Sequence, residues 1–160
     1  MNKVVVVAAK RTPIGSFMGS LSEISAPSLG AIVVKELLSS IRLDPSEVDE
    51  VLMGQVLQAG AGQAPARQVA LNSGISNSVP CTTINKVCAS GMKSIMLGAQ
   101  AIKTGDAEIV IAGGMENMSM SPHFISLRKG NKFGSSILKD IMQKVCKNRS
   151  RNEGCGMWHC

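Results

Sequence analysis

The sequence predicts an α/β protein built as a layered parallel sheet with helices on both faces. Three observations carry that expectation. Short β-branched runs alternate with longer segments of helical periodicity in the order βαβαβαβ, and parallel strands need helical crossovers. Gly74 and Gly105 stand where helices need a left-handed stop. The apolar fraction, 44% over 160 residues, is that of one globular domain, or one domain plus an appendage, and argues against wholesale disorder. Aromatic residues are only 2%, which disfavours a nucleic-acid module that stacks bases on rings. Sixteen glycines and ten methionines point to tight backbone approaches and an adaptable interior.

Each element has its own signal. Val4–Ala8 is β-branched without alternation, the pattern of a fully buried strand. Ser25 is an N-cap candidate for a helix with Pro27 in its first turn, and Leu29, Ile32, Val33, Leu37 and Ile41 form its apolar stripe. Asp44-Pro45-Ser46-Glu47 reads as a short helical turn, with Asp44 capping and Pro45 first. Glu50–Leu57 is a second strand, and Gly60 and Gly62 make a turn. Pro65–Ser73 is a second helix, stopped by Gly74. Cys81–Asn85 is a third strand, Ser90–Thr104 a third helix ended by Gly105, and Glu108–Ala112 a fourth strand. Residues 119–134 read as loop and Ile137–Val145 as one short amphipathic helix. Ligands in such sheets bind beyond the carboxyl ends of the strands.

Charge is unevenly spread. Residues 128–151 carry eight basic side chains (Arg128, Lys129, Lys132, Lys139, Lys144, Lys147, Arg149, Arg151) against one acid, Asp140, whereas residues 1–127 carry nine of each sign. The basic stretch would attract phosphates, nucleic acid or anionic lipid, or is simply a solvated segment. Val4–Ala9 is too short for a signal h-region or a bilayer span, so a soluble cytoplasmic protein without membrane association is expected. Five cysteines in no framework spacing are expected to be free thiols.

Cys88 carries the most chemical information. It lies between a predicted strand end and a predicted helix start, where unpaired amides carry partial positive charge. Such amides stabilise a thiolate and a developing oxyanion, and Gly91 lets an acyl group come close. Strand, turn, cysteine and helix together make a nucleophile elbow built with sulfur. A buried packing cysteine is the alternative, and position alone does not choose between them. Cys81, on a strand, reads as such a packing residue. The third helix sets Met92, Ile95, Met96, Ala99 and Ile102 on one face, with Gly91, Ser94, Gly98 and Ala101 as small residues. That pattern predicts burial on several sides, against a partner from a second half or another subunit.

Four segments in order resemble the thiolases of the biosynthetic acetyl-CoA acetyltransferase type. They are Val5–Arg11 with Thr12-Pro13-Ile14-Gly15, Gly54-Gln55-Val56 with Gly60–Gln68, Asn85–Ser94, and Ala112–Ser119. The resemblance covers residues 3 to about 140 and implies an incomplete N-terminal half of a fold made of two similar α/β halves, in which a second-half counterpart packs beside the third helix. It implies that residues 1–118 are the thiolase-like domain and 119–144 the start of a loop domain, and it leaves 145–160 as a frameshifted or disordered tail. It implies that Cys88 is the catalytic residue, acetylated by acetyl-CoA, and that a second acetyl-CoA takes the acetyl group to give acetoacetyl-CoA, or the reverse. A histidine, an asparagine–histidine pair and a second cysteine of the family lie in the second half. His123 is read as a loop residue, and His159 has no matching context. A homodimer or homotetramer is implied, with no cofactor beyond CoA thioesters as substrates. Cys146, Cys155, His159 and Cys160 are conceivable zinc ligands, but their spacing matches no usual knuckle and no metal is assigned.

Overall fold

Local chemistry starts the first helix where the sequence predicts. Ser25 turns the chain and its Oγ accepts from the Ser28 amide at 3.2 Å, so α1 runs Ala26–Ile41. The computed structural model describes residues 3–128 and 130–146. A 3₁₀ turn, Pro45–Glu47, follows, with Asp44 Oδ1 accepting from the Ser46 amide at 2.9 Å. Then come β1 (Glu50–Gly54), α2 (Pro65–Ser73), β2 (Cys81–Ile84), α3 (Ser90–Thr104) and β3 (Val110–Gly114). A 3₁₀ turn at Met118–Met120 leads to the two-residue strands β4 (His123–Phe124) and β5 (Lys139–Asp140), and α4 covers Ile141–Cys146.

The central sheet is parallel, in the order β2-β1-β3, with Val51 opposite Cys81 and Ile111. Right-handed crossovers in that order put α2 and α3 on opposite faces. The side chains agree. Val51 and Met53 of β1 enter a core with Val34 and Leu38 of α1, Val69 and Ala70 of α2, and Ile111. On the other face Gly54 meets the first turn of α3, and Gly98 of α3 lies over Val110 and Ala112 of β3. The α/β class with helices on both faces is therefore as the sequence predicts. The reversal of direction at β1 places a topological switch beside its carboxyl end.

One predicted strand is absent. Val4–Ala8 pairs with no strand among the described residues, and Val6 is 81% exposed. β-branching supplies propensity, but a strand exists only where an edge receives it, and this run docks on neither edge of the sheet. Its end is held to α1 by Lys10 Nζ and Glu36 Oε1 at 3.4 Å, an exposed pair worth little. Other strand ends shift to the register of pairing: β1 stops at Gly54, not Leu57, and β3 begins at Val110 and reaches Gly114. The stretch read as loop contains a 3₁₀ turn and β4, and the helix expected from Ile137 starts at Ile141, since Lys139–Asp140 pairs with β4.

α3 has the predicted bounds and an unpredicted orientation. Its buried residues are Ser90, Ser94 and Gly98, while Met92 (68%), Ile95 (54%) and Met96 (53%) stand exposed. Small residues let the helix backbone approach the sheet, so the bulky stripe turns outward, to the side where the predicted further half or subunit would have to cover it.

Asp49 joins the entrance of β1 to the segment before β3. Its Oδ2 accepts from the amides of Glu108 at 2.7 Å and Ile109 at 2.9 Å. The Ile109 amide first, then that of Glu108, holds its carboxyl below the usual carboxylate range. A depressed folded-state pKa gives stability that is present above the unfolded value, about 3.9, and is lost as pH falls through the folded value. Urea titrations of the protein and of Asp49→Asn should therefore differ at neutral pH, and the gap should close as the pH drops below about 3.9.

Candidate active site

The sheet's carboxyl edge gathers three chain segments: the exit of β1 at Gly54–Leu57, the β2–α3 turn, and the exit of β3 at Gly114–Asn117. Cys88 lies in the turn, exposed, two residues before the first residue of α3. The preceding Val87 has φ 50°, a left-handed conformation that costs a β-branched residue about 1–3 kcal/mol.

Side chains hold this turn from both ends. Asn85 Oδ1 accepts from the Val87 amide at 3.1 Å, and Asn85 Nδ2 donates to the Val56 carbonyl at 3.2 Å. Ser90 Oγ accepts from the Lys86 amide at 2.8 Å and donates to the Val87 carbonyl at 2.6 Å. Ser94 Oγ donates to the Ser90 carbonyl at 3.0 Å. The α3 N-cap, Ala89, offers no side-chain acceptor, and the amides of Gly91 and Met92 have no acceptor among the described residues. A helix start left open in this way carries donors and partial positive charge beside the cysteine turn.

Glycines allow the first turn of α3 to rest on the strand ends. A Cβ on Gly54 would lie 2.5 Å from the Ser90 carbonyl carbon and 2.6 Å from the Gly91 nitrogen. A Cβ on Gly114 would lie 3.1 Å from the Gly91 Cα. The β3 exit is tied down as well: Glu116 Oε2 accepts from the amides of Val56 at 2.9 Å and Leu57 at 3.3 Å. Asn117 Nδ2 lies within hydrogen-bonding distance of the carbonyls of Leu21, Ser22 and Ile24. Next to it Gln55, Leu57, Asn117 and Ser121 line a cavity of about 40 Å³, space for water and far short of an acyl thioester.

The other sequence candidates fall elsewhere. Cys81 is partly buried against the core and its Sγ donates to the Val79 carbonyl at 3.3 Å. Burial pushes its thiol up, with the nearby Arg67 opposing, so Cys81 is the packing thiol that the sequence predicts. His123 is exposed in β4, opposite Asp140. No group of three or more His, Cys, Asp or Glu with metal-binding proximity exists among the described residues. Cys155, His159 and Cys160 of the conceivable zinc set, and Lys129, Lys147, Arg149 and Arg151 of the basic stretch, lie outside the described residues, as does the side chain of Cys146. No described helix is long and apolar enough to cross a membrane. Residue type does not mark Asn85, Ser90 and Glu116, because a polar residue that clamps a distant backbone leaves no periodic signature.

A family model described as Thiolase, N-terminal domain matches residues 4–158, and the chain belongs to that family. It is 54% identical over 143 residues to Acetyl-CoA acetyltransferase of Pseudomonas aeruginosa, covering 89% of this chain and 36% of the relative. It is 49% identical over 158 residues to Acetyl-CoA acetyltransferase 2 of Arabidopsis thaliana, covering 98% and 39%. With Acetyl-CoA acetyltransferase, mitochondrial, of Xenopus tropicalis the figures are 52% over 144 residues, 90% and 34%. The chain thus spans a little over a third of the length of the curated relatives it matches. The family match and the Arabidopsis alignment both run past residue 144, where the motif reading ends.

Two outcomes test the geometry. Brief treatment with iodoacetamide followed by peptide mapping should modify Cys88 well before Cys81. Gly54→Ala should destabilise the protein by about 1–3 kcal/mol in urea, because the added carbon meets backbone that cannot step aside.

Proposed function

We propose that the protein carries out the acyl-accepting half of acetyl-CoA C-acetyltransferase chemistry, with Cys88 as the nucleophile. The observation that carries the reading is an exposed cysteine on a strained turn directly before a helix start whose Gly91 and Met92 amides have no acceptor among the described residues. The relatives named acetyl-CoA acetyltransferase supply the substrate class.

In this reading the Cys88 sulfur forms a bond to the acetyl carbon of acetyl-CoA. The carbonyl oxygen carries negative charge in the tetrahedral state, where open amides lower its energy. The bond between that carbon and the CoA sulfur breaks, and CoA leaves as the thiol with the proton that Cys88 gave up. A second acetyl-CoA, stripped of a methyl proton by a base, then attacks the acetyl carbon. The new carbon–carbon bond yields acetoacetyl-CoA and returns the electron pair to the Cys88 sulfur. Run backwards, the same steps cleave acetoacetyl-CoA with CoA.

The resemblance assigns the histidine, the asparagine–histidine pair and the acid/base cysteine to a second half. The 160-residue chain by itself is therefore proposed to take up acetyl groups without efficient turnover, since the loss of a general base alone costs about 10²–10⁴-fold. The same reading divides the chain into the domain of residues 1–118, the start of a loop domain at 119–144, and the tail at 145–160. It takes the protein as cytoplasmic and as a homodimer or homotetramer. The exposed Met92, Ile95 and Met96 face of α3 supports association with a further half or subunit.

Incubation with acetyl-CoA labelled in the acetyl group, followed by mapping, should place the label on Cys88 and leave Cys88→Ala unlabelled; label on another cysteine refutes the assignment. Acetoacetyl-CoA cleavage by the 160-residue chain should run at least about 10²-fold below that of a full-length relative.

A further inference from the structure

Val87 holds a backbone conformation that its β-branched side chain disfavours, and such conformations persist only where the surroundings impose them. What imposes this one can be followed outward through hydrogen bonds. The Val87 amide donates to Asn85 Oδ1 at 3.1 Å. The Asn85 side-chain nitrogen donates to the Val56 carbonyl at 3.2 Å. The Val56 amide donates to Glu116 Oε2 at 2.9 Å, and the Leu57 amide reaches the same oxygen at 3.3 Å. One backbone unit, Val56, is thereby gripped from both sides, by the strand exit of β3 and by the turn that bears Cys88.

We infer that Asn85 and Glu116 act in series as positioning residues for Cys88. Glu116 fixes the loop leaving β1. The loop fixes Asn85, and Asn85 holds Val87 in the left-handed conformation that sets the direction of the next side chain. Neither residue touches the reacting atoms. Glu116 suits the task because one carboxylate oxygen accepts two consecutive amides, and charge-assisted hydrogen bonds of this kind are the strong ones. The claim about the backbone stands on the geometry alone, and the claim about acetyl transfer rests on the reading of Cys88 as the acetyl acceptor.

The test has one readout for each claim. Positive φ brings an amide proton close to its own Hα, so Val87 should give a strong intraresidue cross-peak in a nuclear Overhauser spectrum of the 160-residue chain. Glu116→Ala and Asn85→Ala should each weaken that cross-peak, and Glu116→Gln should restore it, since a carboxamide oxygen still accepts both amides. The double variant should lose no more than either single one, as serial action requires. In parallel, the ratio of acetylation by acetyl-CoA to alkylation by iodoacetamide at Cys88 should fall about tenfold in the alanine variants and recover in Glu116→Gln. Should Glu116→Ala fail to fold, Asn85→Asp serves in its place: it keeps the acceptor for Val87 and removes the donor to Val56 at nearly constant volume. An undiminished Val87 cross-peak in folded Glu116→Ala or Asn85→Asp overturns the inference, as does an additive double variant. If the unaltered chain takes up no acetyl group while the cross-peak still depends on Glu116, the acetyl-transfer reading fails and the clamp stands.

Discussion

The close approach of backbone to backbone at Gly54, Gly91 and Gly114 is the constraint on which the site depends. A helix normally rests on a sheet through a layer of side chains. Here the first turn of α3 comes down where a Cβ on Gly54 would sit 2.5 Å from its main chain. The consequence runs in two directions. The open end of α3 and the turn before it are brought level with the carboxyl ends of β1 and β3, so that the side chains of Asn85 and Glu116 can span the gaps by direct hydrogen bonds. And because Ser90, Ser94 and Gly98 face the sheet, the bulky residues of α3 have nowhere to go but outward.

That second effect explains where pattern reading fails and where it succeeds. The limits of α2 and α3 are legible because Pro65, Gly74 and Gly105 act through their own backbone geometry, with Gly74 at φ 92° and Gly105 at φ 84°. The caps at Ser25 and Asp44 are legible for the same reason, since each bonds an amide two or three residues on. Which side of α3 is buried is not legible from hydropathy, because the force that selects it is proximity of main chains and not transfer of apolar surface. Val4–Ala8 misleads for a related reason: propensity is a property of the run, whereas pairing is a property of the edge it meets. At the site, the place of Cys88 between strand and helix is legible. Asn85, Ser90 and Glu116 are not, since their partners are chosen by the folded arrangement.

The two described thiols that the sequence singles out illustrate how finely one supersecondary unit can divide roles. Cys81 opens β2 and Cys88 follows its end, yet the first is partly shielded against the core and the second stands open. Desolvation disfavours charge on the Cys81 sulfur and pushes its thiol up, with Arg67 opposing. The same strand thus supplies a quiet packing residue at one end and a chemically accessible one at the other, with no change of residue type.

The anchoring of the front loop has a consequence for how the molecule comes into being. Met18 donates its amide to Ser119 Oγ at 2.8 Å, and Asn117 lies against the carbonyls of Leu21, Ser22 and Ile24, contacts that close across 93 to 101 residues of sequence. Closing loops of that span surrenders chain entropy, and their far anchors exist only once residues 117–119 have been made. On a ribosome the layers around β1, α2 and β2 would already have emerged while residues 15–24 still lacked their anchor. Anchoring of the front loop therefore waits on synthesis of the segment just beyond β3, so an early-made stretch of polypeptide can take its final place only once a later-made one exists.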